Sequence, residues 1–182
     1  MAKIKTWIAP IVGEAPFQRV HARIEYYTQA RRFEVSAGII HRATQDNLIE
    51  VPTYFESSVP VVVNHSLALE LYFKCLLQIE DKLGVGHELD VLFSGLEPTR
   101  QARIEKAFQA SGKVPPLIPG MTVASVLGRC KNAFIEWRFL NEHKPMTHEM
   151  YDATLVTSSV RGIIWEDYPS LKNVLPIMPW EA

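Results

Sequence analysis

From Val61 to Leu83 the chain reads VVVNHSLALELYFKCLLQIEDKL, and this stretch decides the fold. Ser66, Glu70, Lys74 and Gln78 recur every fourth position and fall on one narrow stripe of a helix. The rest of the cylinder is almost wholly Leu, Val, Ala, Tyr, Phe, Cys and Ile, so such a helix needs neighbours on several sides. Glu70 four residues before Lys74 is the favourable order for an i,i+4 pair on that stripe. The spacing predicts a central bundle helix over 61–83, stopped near Gly84-Val85-Gly86.

Outward from this rod, the flanking segments also read as helices. Arg19 to about Ile49 places Val20, Ile24, Tyr27, Ala30, Phe33 (or Glu34), Ala37 and Ile40 on one face, weakened by Gly38. Pro52 and Pro60 bracket the expected connection into the central helix. On its far side, His87 to Phe93 opens a short helix ended by Gly95, and Pro98 suits the first turn of another, to about Ala110. A Gly- and Pro-rich loop covers 111–120. The next helix runs from Met121 or Thr122 to His143, with Val123, Val126, Leu127, Cys130, Ala133, Phe134, Trp137 and Leu140 at three-four spacing. Pro145 closes it. A last helix covers about His148 to Glu166, with Leu155, Val156, Val160, Ile163 and Ile164 inward. Pro169, Pro176 and Pro179 exclude regular helix beyond it.

The expected fold class is therefore all-α: an antiparallel bundle of four to five long helices, one domain over 1–182. Residues 1–18 form an extended arm with room for one short strand or turn, 19–166 the bundle, and 167–182 a Pro-rich tail. No strand pattern is long enough for a larger sheet. A chain of 182 residues, 47% hydrophobic and 21% charged, suffices for one core. The net charge of -1 supplies no bulk field toward nucleic acid or an anionic membrane. Cys75 and Cys130 lie in apolar stretches and read as buried thiols in a reducing interior, so a cytoplasmic setting is expected. The opening Met1-Ala2-Lys3-Ile4-Lys5 is followed by no apolar run of the signal-peptide kind. The central helix carries His65, Glu70 and Lys74, so no membrane association is expected.

The sharpest chemical constellation is Arg138-Phe139-Leu140-Asn141-Glu142-His143. On a helix Arg138, Asn141 and Glu142 share a face, and His143 falls roughly 140° round from Arg138 unless the backbone turns. A guanidinium can hold a phosphate with two nitrogens, and an imidazole can exchange a proton near neutrality. Together they suffice for metal-free cleavage of RNA by its own 2′-hydroxyl. An Arg and a His in a last helical turn also do nothing more than complement the helix dipole in many proteins. His87, after two glycines, suits a helix cap or a bond across the loop. His143 and His148 flank Pro145 without a Cys or Asp to complete a ligand set, so no metal and no cofactor is expected. Arg19, Arg23, Arg31, Arg32 and Arg42, with His21 and His41, make the first helix the most basic stretch. It reads as a solvated face or the border of an RNA groove.

Three segments together resemble the HEPN-type domain, the nucleotide-binding helical bundle of higher eukaryotes and prokaryotes. Ala68 to Leu77 is similar to the family's Glu-x-x-x-Lys-x-Leu-Leu helix. Gly86-His87-Glu88-Leu89-Asp90-Val91-Leu92-Phe93 is close to the Gly-His-Asp-Leu-x-x-Leu-Phe signature of one branch, and Ala133 to Phe139 resembles the aromatic-Arg-aromatic end of a late helix. The resemblance implies a homodimer and a nucleotide, RNA or partner protein such as a nucleotidyltransferase, in a defence or stress system. Glu70, Lys74 and His87 are the implied binding-side residues, with a structural role for His87 favoured by its apolar neighbours. For the catalytic members of the family it implies Arg138 as phosphate clamp and His143 as general acid or base across a dimer cleft. Phe139 departs from the polar residue usual after the arginine, and Asn141 is the candidate to supply that group. In the Gly-His-Asp-Leu branch the arginine is also found pairing with the central helix, where Glu70 would be its partner.

Overall fold

A computed structural model describes residues 8–10, 16–46, 54–111, 120–130 and 147–174. Strand β1 (Ile8–Pro10) leads into α1 (Pro16–Gln45) and α2 (Tyr54–Ile79). Strand β2 (Lys82–Gly84) follows, then α3 (Leu89–Ser94), α4 (Pro98–Ser111), α5 (Val123–Cys130) and α6 (Thr147–Asp167). A 3₁₀ turn over Pro169–Asn173 closes the described chain. Among the described residues the fold is all-α apart from one antiparallel ladder, in which Ile8, Ala9 and Pro10 face Gly84, Leu83 and Lys82.

The apolar rod is the centre, as its sequence demands. Leu69, Tyr72, Phe73, Leu76 and Leu77 of α2 have no exposed surface. Around them pack Tyr27 and Ala30 of α1, Leu92 of α3, Ile104 and Phe108 of α4, Val126 and Leu127 of α5, and Val160 and Ile164 of α6. Each such side chain contributes about 1.5–3 kcal/mol by leaving water. Even the polar stripe is covered: Ser66 and Gln78 are buried, and Glu70 and Lys74 are largely so.

Both ends of α2 depart from the expected span. It starts at Tyr54 and carries Pro60 in its interior. A proline there loses one N–H and crowds the preceding turn. Asn64 Nδ2 donates to the Pro60 carbonyl at 2.7 Å, adding a bond beside the interruption. At the other end the helix stops at Ile79, four residues before Leu83. Asp81 takes φ 55°, a left-handed stop. Arg23 Nε of α1 donates at 3.1 Å to the Gln78 carbonyl, which also accepts from the Asp81 N–H at 3.2 Å. The chain then turns back along α2 as β2. A Cβ on Gly84 would lie 2.8 Å from Leu77 Cδ1 and 3.3 Å from Leu92 Cδ2, so any larger residue would push these two core side chains aside.

An ion network ties this corner to α4 and α6. Glu80 meets Arg100 at 2.7 Å and Lys82 at 3.1 Å, and Lys82 reaches Glu97 at 2.6 Å. Arg100 and Arg103 both engage Asp167, at 2.9 and 2.7 Å. Helix α5 is described to Cys130, and the rest of the expected 121–143 helix lies outside the described residues.

Candidate functional site

Glu70, Lys74 and His87 come together although His87 is seventeen positions from Glu70. Lys74 Nζ donates to Glu70 Oε1 at 2.7 Å, one turn along α2. His87 Nδ1 stands 2.9 and 3.0 Å from the two oxygens of the same carboxylate. Gly86, at φ 94°, makes the turn that delivers His87 there. The carboxylate is largely covered while the His87 side chain is 85% exposed. His87 does not cap α3. The N-cap is Glu88, which makes no side-chain cap bond. A carboxylate bonded to one ring nitrogen orients the imidazole and leaves Nε2 for a second partner. The cluster can hold an imidazole against solvent with an ammonium beside it, which suits a phosphate oxygen.

Arg138, Asn141 and His143 lie outside the described residues, as does the proposed pairing of Arg138 with Glu70. Among the described residues, no group of three or more His, Cys, Asp or Glu is placed to hold a metal ion. No described helix is long and apolar enough to cross a membrane.

A second polar assembly was not anticipated. Arg31, grouped in the sequence with a basic outer face, is 1% exposed and sits in the core. Its Nη1 donates to Glu34 Oε2 at 2.8 Å, and Tyr72 Oη donates to the same oxygen at 2.6 Å. Arg161 Nη1 of α6 approaches Glu34 Oε1 at 3.1 Å. Trp165 lies under both guanidiniums, at 4.7 Å from Arg161 and 5.9 Å from Arg31. Its Nε1 donates to Tyr27 Oη at 2.7 Å. Burial, then the Glu34 charge, pushes the Tyr72 hydroxyl well above its usual range. The signal was in the spacing: Tyr27, Ala30, Arg31, Glu34 and Ala37 share one helical face.

Beside this assembly lies a cavity of about 320 Å³ between α1, α2 and α6. Glu34, His65 and Arg161 are its buried walls, and Arg42, Gln45 and Thr154 its exposed ones. Gly38 and His41 of α1 and Ser158 of α6 complete it. His65 Nε2 is 3.1 Å from Thr154 Oγ1, whereas Nδ1, also buried, has no partner among the described residues. Burial first, then His41 and Arg161, pushes the His65 imidazole down to about 3. Burial also lowers His41. The His65 ring is therefore held neutral over most of the acidic range.

Compared with family models, with curated proteins and with solved structures, the chain finds no match.

Proposed function

We propose that the chain is a HEPN-like binding module that takes up RNA or a nucleotide and works as a homodimer in a defence or stress system. A nucleotidyltransferase-type protein is the partner class implied by the same resemblance. One observation carries the reading. The Glu70-x-x-x-Lys74 turn of α2 and the Gly86-His87-Glu88-Leu89 turn, two of the three segments that resemble the family, meet in a single ion cluster. In that cluster Glu70 is the holder, and His87 is the donor turned to solvent. An exposed imidazole beside an ammonium gains charge-assisted bonds to phosphate when it is protonated.

Titrating the protein into fluorescein-labelled single-stranded RNA at low salt, with ATP as competitor, tests the proposal. Saturable binding is expected, weakening as salt rises because phosphate contacts release counterions. His87→Ala should weaken it several-fold, in keeping with the loss of one charge-assisted bond. Absence of binding, or affinity indifferent to His87→Ala, removes the reading.

The Arg138-to-His143 spacing favours a second reading, a metal-independent endoribonuclease working across a homodimer cleft. It requires cleavage in the presence of EDTA, products ending in cyclic phosphate, and folded but inactive Arg138→Ala and His143→Ala proteins. Full activity in His143→Ala ends it.

A further inference from the structure

We propose that His87 is a phosphoryl-acceptor site, modified on Nε2 by a donor of the acyl phosphate class. The modification uses the cluster of the preceding reading but does not depend on RNA or nucleotide binding. Three observations carry it. The first is the tautomer. Nδ1 lies 2.9 and 3.0 Å from the two oxygens of Glu70. A carboxylate in that position accepts, so Nδ1 is the N–H. In the neutral ring the lone pair is then on Nε2, the form that a nucleophilic imidazole needs.

The second observation is access. The His87 side chain is 85% exposed, whereas that of Glu70 is 12% exposed. Among the described residues Nε2 has no partner. The lone pair is therefore open to an incoming molecule.

The third is the fixed base behind the ring. Lys74 Nζ holds Glu70 Oε1 at 2.7 Å, on a helix whose other faces are core. Gly86, at φ 94°, turns the chain so that His87 meets that carboxylate. A ring so exposed gains little stability from the contact, so folding energy does not account for the arrangement.

The step balances with these groups. Nε2 attacks phosphorus and forms the N–P bond, the P–O bond to the acyl group breaks, and the carboxylate leaves with the bonding pair. The ring becomes a phosphoimidazolium that keeps its Nδ1 proton, and Glu70 faces the positive charge it gains. The only ring proton is turned inward to Glu70, so the pair has none to give a leaving group. A carboxylate departs without one, and this selects an acyl phosphate over a donor whose leaving group must be protonated.

Incubating the native protein with acetyl phosphate, and in parallel with ATP and magnesium, tests the proposal. One phosphoryl group per chain is expected from acetyl phosphate, read by intact mass, which separates it from an acetyl group. It should map to His87, survive alkali, be lost in mild acid and be absent from His87→Ala. A peptide of residues 84–91 carries the same ring without Glu70. It should react roughly tenfold more slowly, the scale of one charge-assisted hydrogen bond to the imidazolium. Glu70 is a positioning residue, and Glu70→Gln should slow the reaction to a similar extent. It should also move the His87 proton from Nδ1 toward Nε2 in ¹H–¹⁵N ring spectra, a change that a purely structural role would not produce. The inference is overturned if acetyl phosphate leaves His87 unmodified, if the other histidines react as fast, or if ATP is the better donor. It is overturned equally if the peptide matches the protein, or if a folded Glu70→Gln protein reacts like the parent. Should Glu70→Gln not fold, the peptide comparison decides alone. RNA titration is read on unmodified protein, so failure here leaves the preceding reading untouched.

Discussion

Two largely covered glutamates on this bundle carry similar company, one with a partner standing in water and the other with its partners inside. Glu70 meets an ammonium and an imidazole at the rim, and His87 there is almost fully in water. Glu34 meets two guanidiniums and a tyrosine hydroxyl, and Arg31 there is sealed from solvent. Water screens His87 and lets it leave the largely covered Glu70–Lys74 pair at little cost. The second has no water to fall back on, so removing one member strands the others. The rim is thus suited to exchange partners, and the interior to hold one geometry.

The largest expected effect follows from the sealed cluster. Glu34→Gln keeps the shape of the side chain but leaves Arg31 and Arg161 facing a neutral amide. A loss of about 3–5 kcal/mol in urea melts is expected, the scale for breaking a buried ion pair. A loss below about 1 kcal/mol would erase the contrast between the two regions, since that is the range of exposed pairs.

Next in size is a dependence on acid. The folded-state value of His65, about 3, lies below the 6.5 of an unperturbed histidine. Between those limits the unfolded chain binds the extra proton, so stability is complete above pH 6.5 and falls as pH drops toward 3. The expected slope approaches about 1.4 kcal/mol per pH unit. Urea melts at pH 7, 5 and 4 should show it in the parent, and a His65→Gln protein should have a shallower slope. Equal slopes in the two proteins would take His65 out of the account.

The smallest effect sharpens the comparison from the other side. His87→Gln should change stability by no more than about 0.5 kcal/mol, as for most surface substitutions. A cost comparable to that of Glu34→Gln would mean that His87 holds α3 against α2 and is not free to meet a ligand.

Much of the architecture was legible in the sequence. The four-residue polar rhythm inside an apolar run made α2 central, and prolines and glycines marked the limits of α3 and α4. The ends of α2 were not legible, because they depend on distant groups. Arg23 caps Gln78 from another helix, and the strand at Gly84 lies close against Leu77 and Leu92. Pro60 carries the signature of a helix breaker, yet it stands inside one whose two faces are packed by neighbours. At the candidate site, Glu70–Lys74 followed from i,i+4 spacing, whereas the meeting with His87 required the β2 turn. Arg31 was misjudged because charge predicts exposure only when no partner waits inside, and Tyr72 and Trp165 arrive from other helices.

Cys75 offers one last consequence. Its thiol is buried against α1, donates to the Arg23 carbonyl at 3.5 Å, and is pushed up to about 12, chiefly by burial. Alkylating reagents need a thiolate within reach, so in the native protein this sulfur is silent. Cys130, covered on α5, is shielded by a different helix pairing. The pair forms a built-in stopwatch: the order in which maleimide finds the two sulfurs tells which flank of the bundle peels away first.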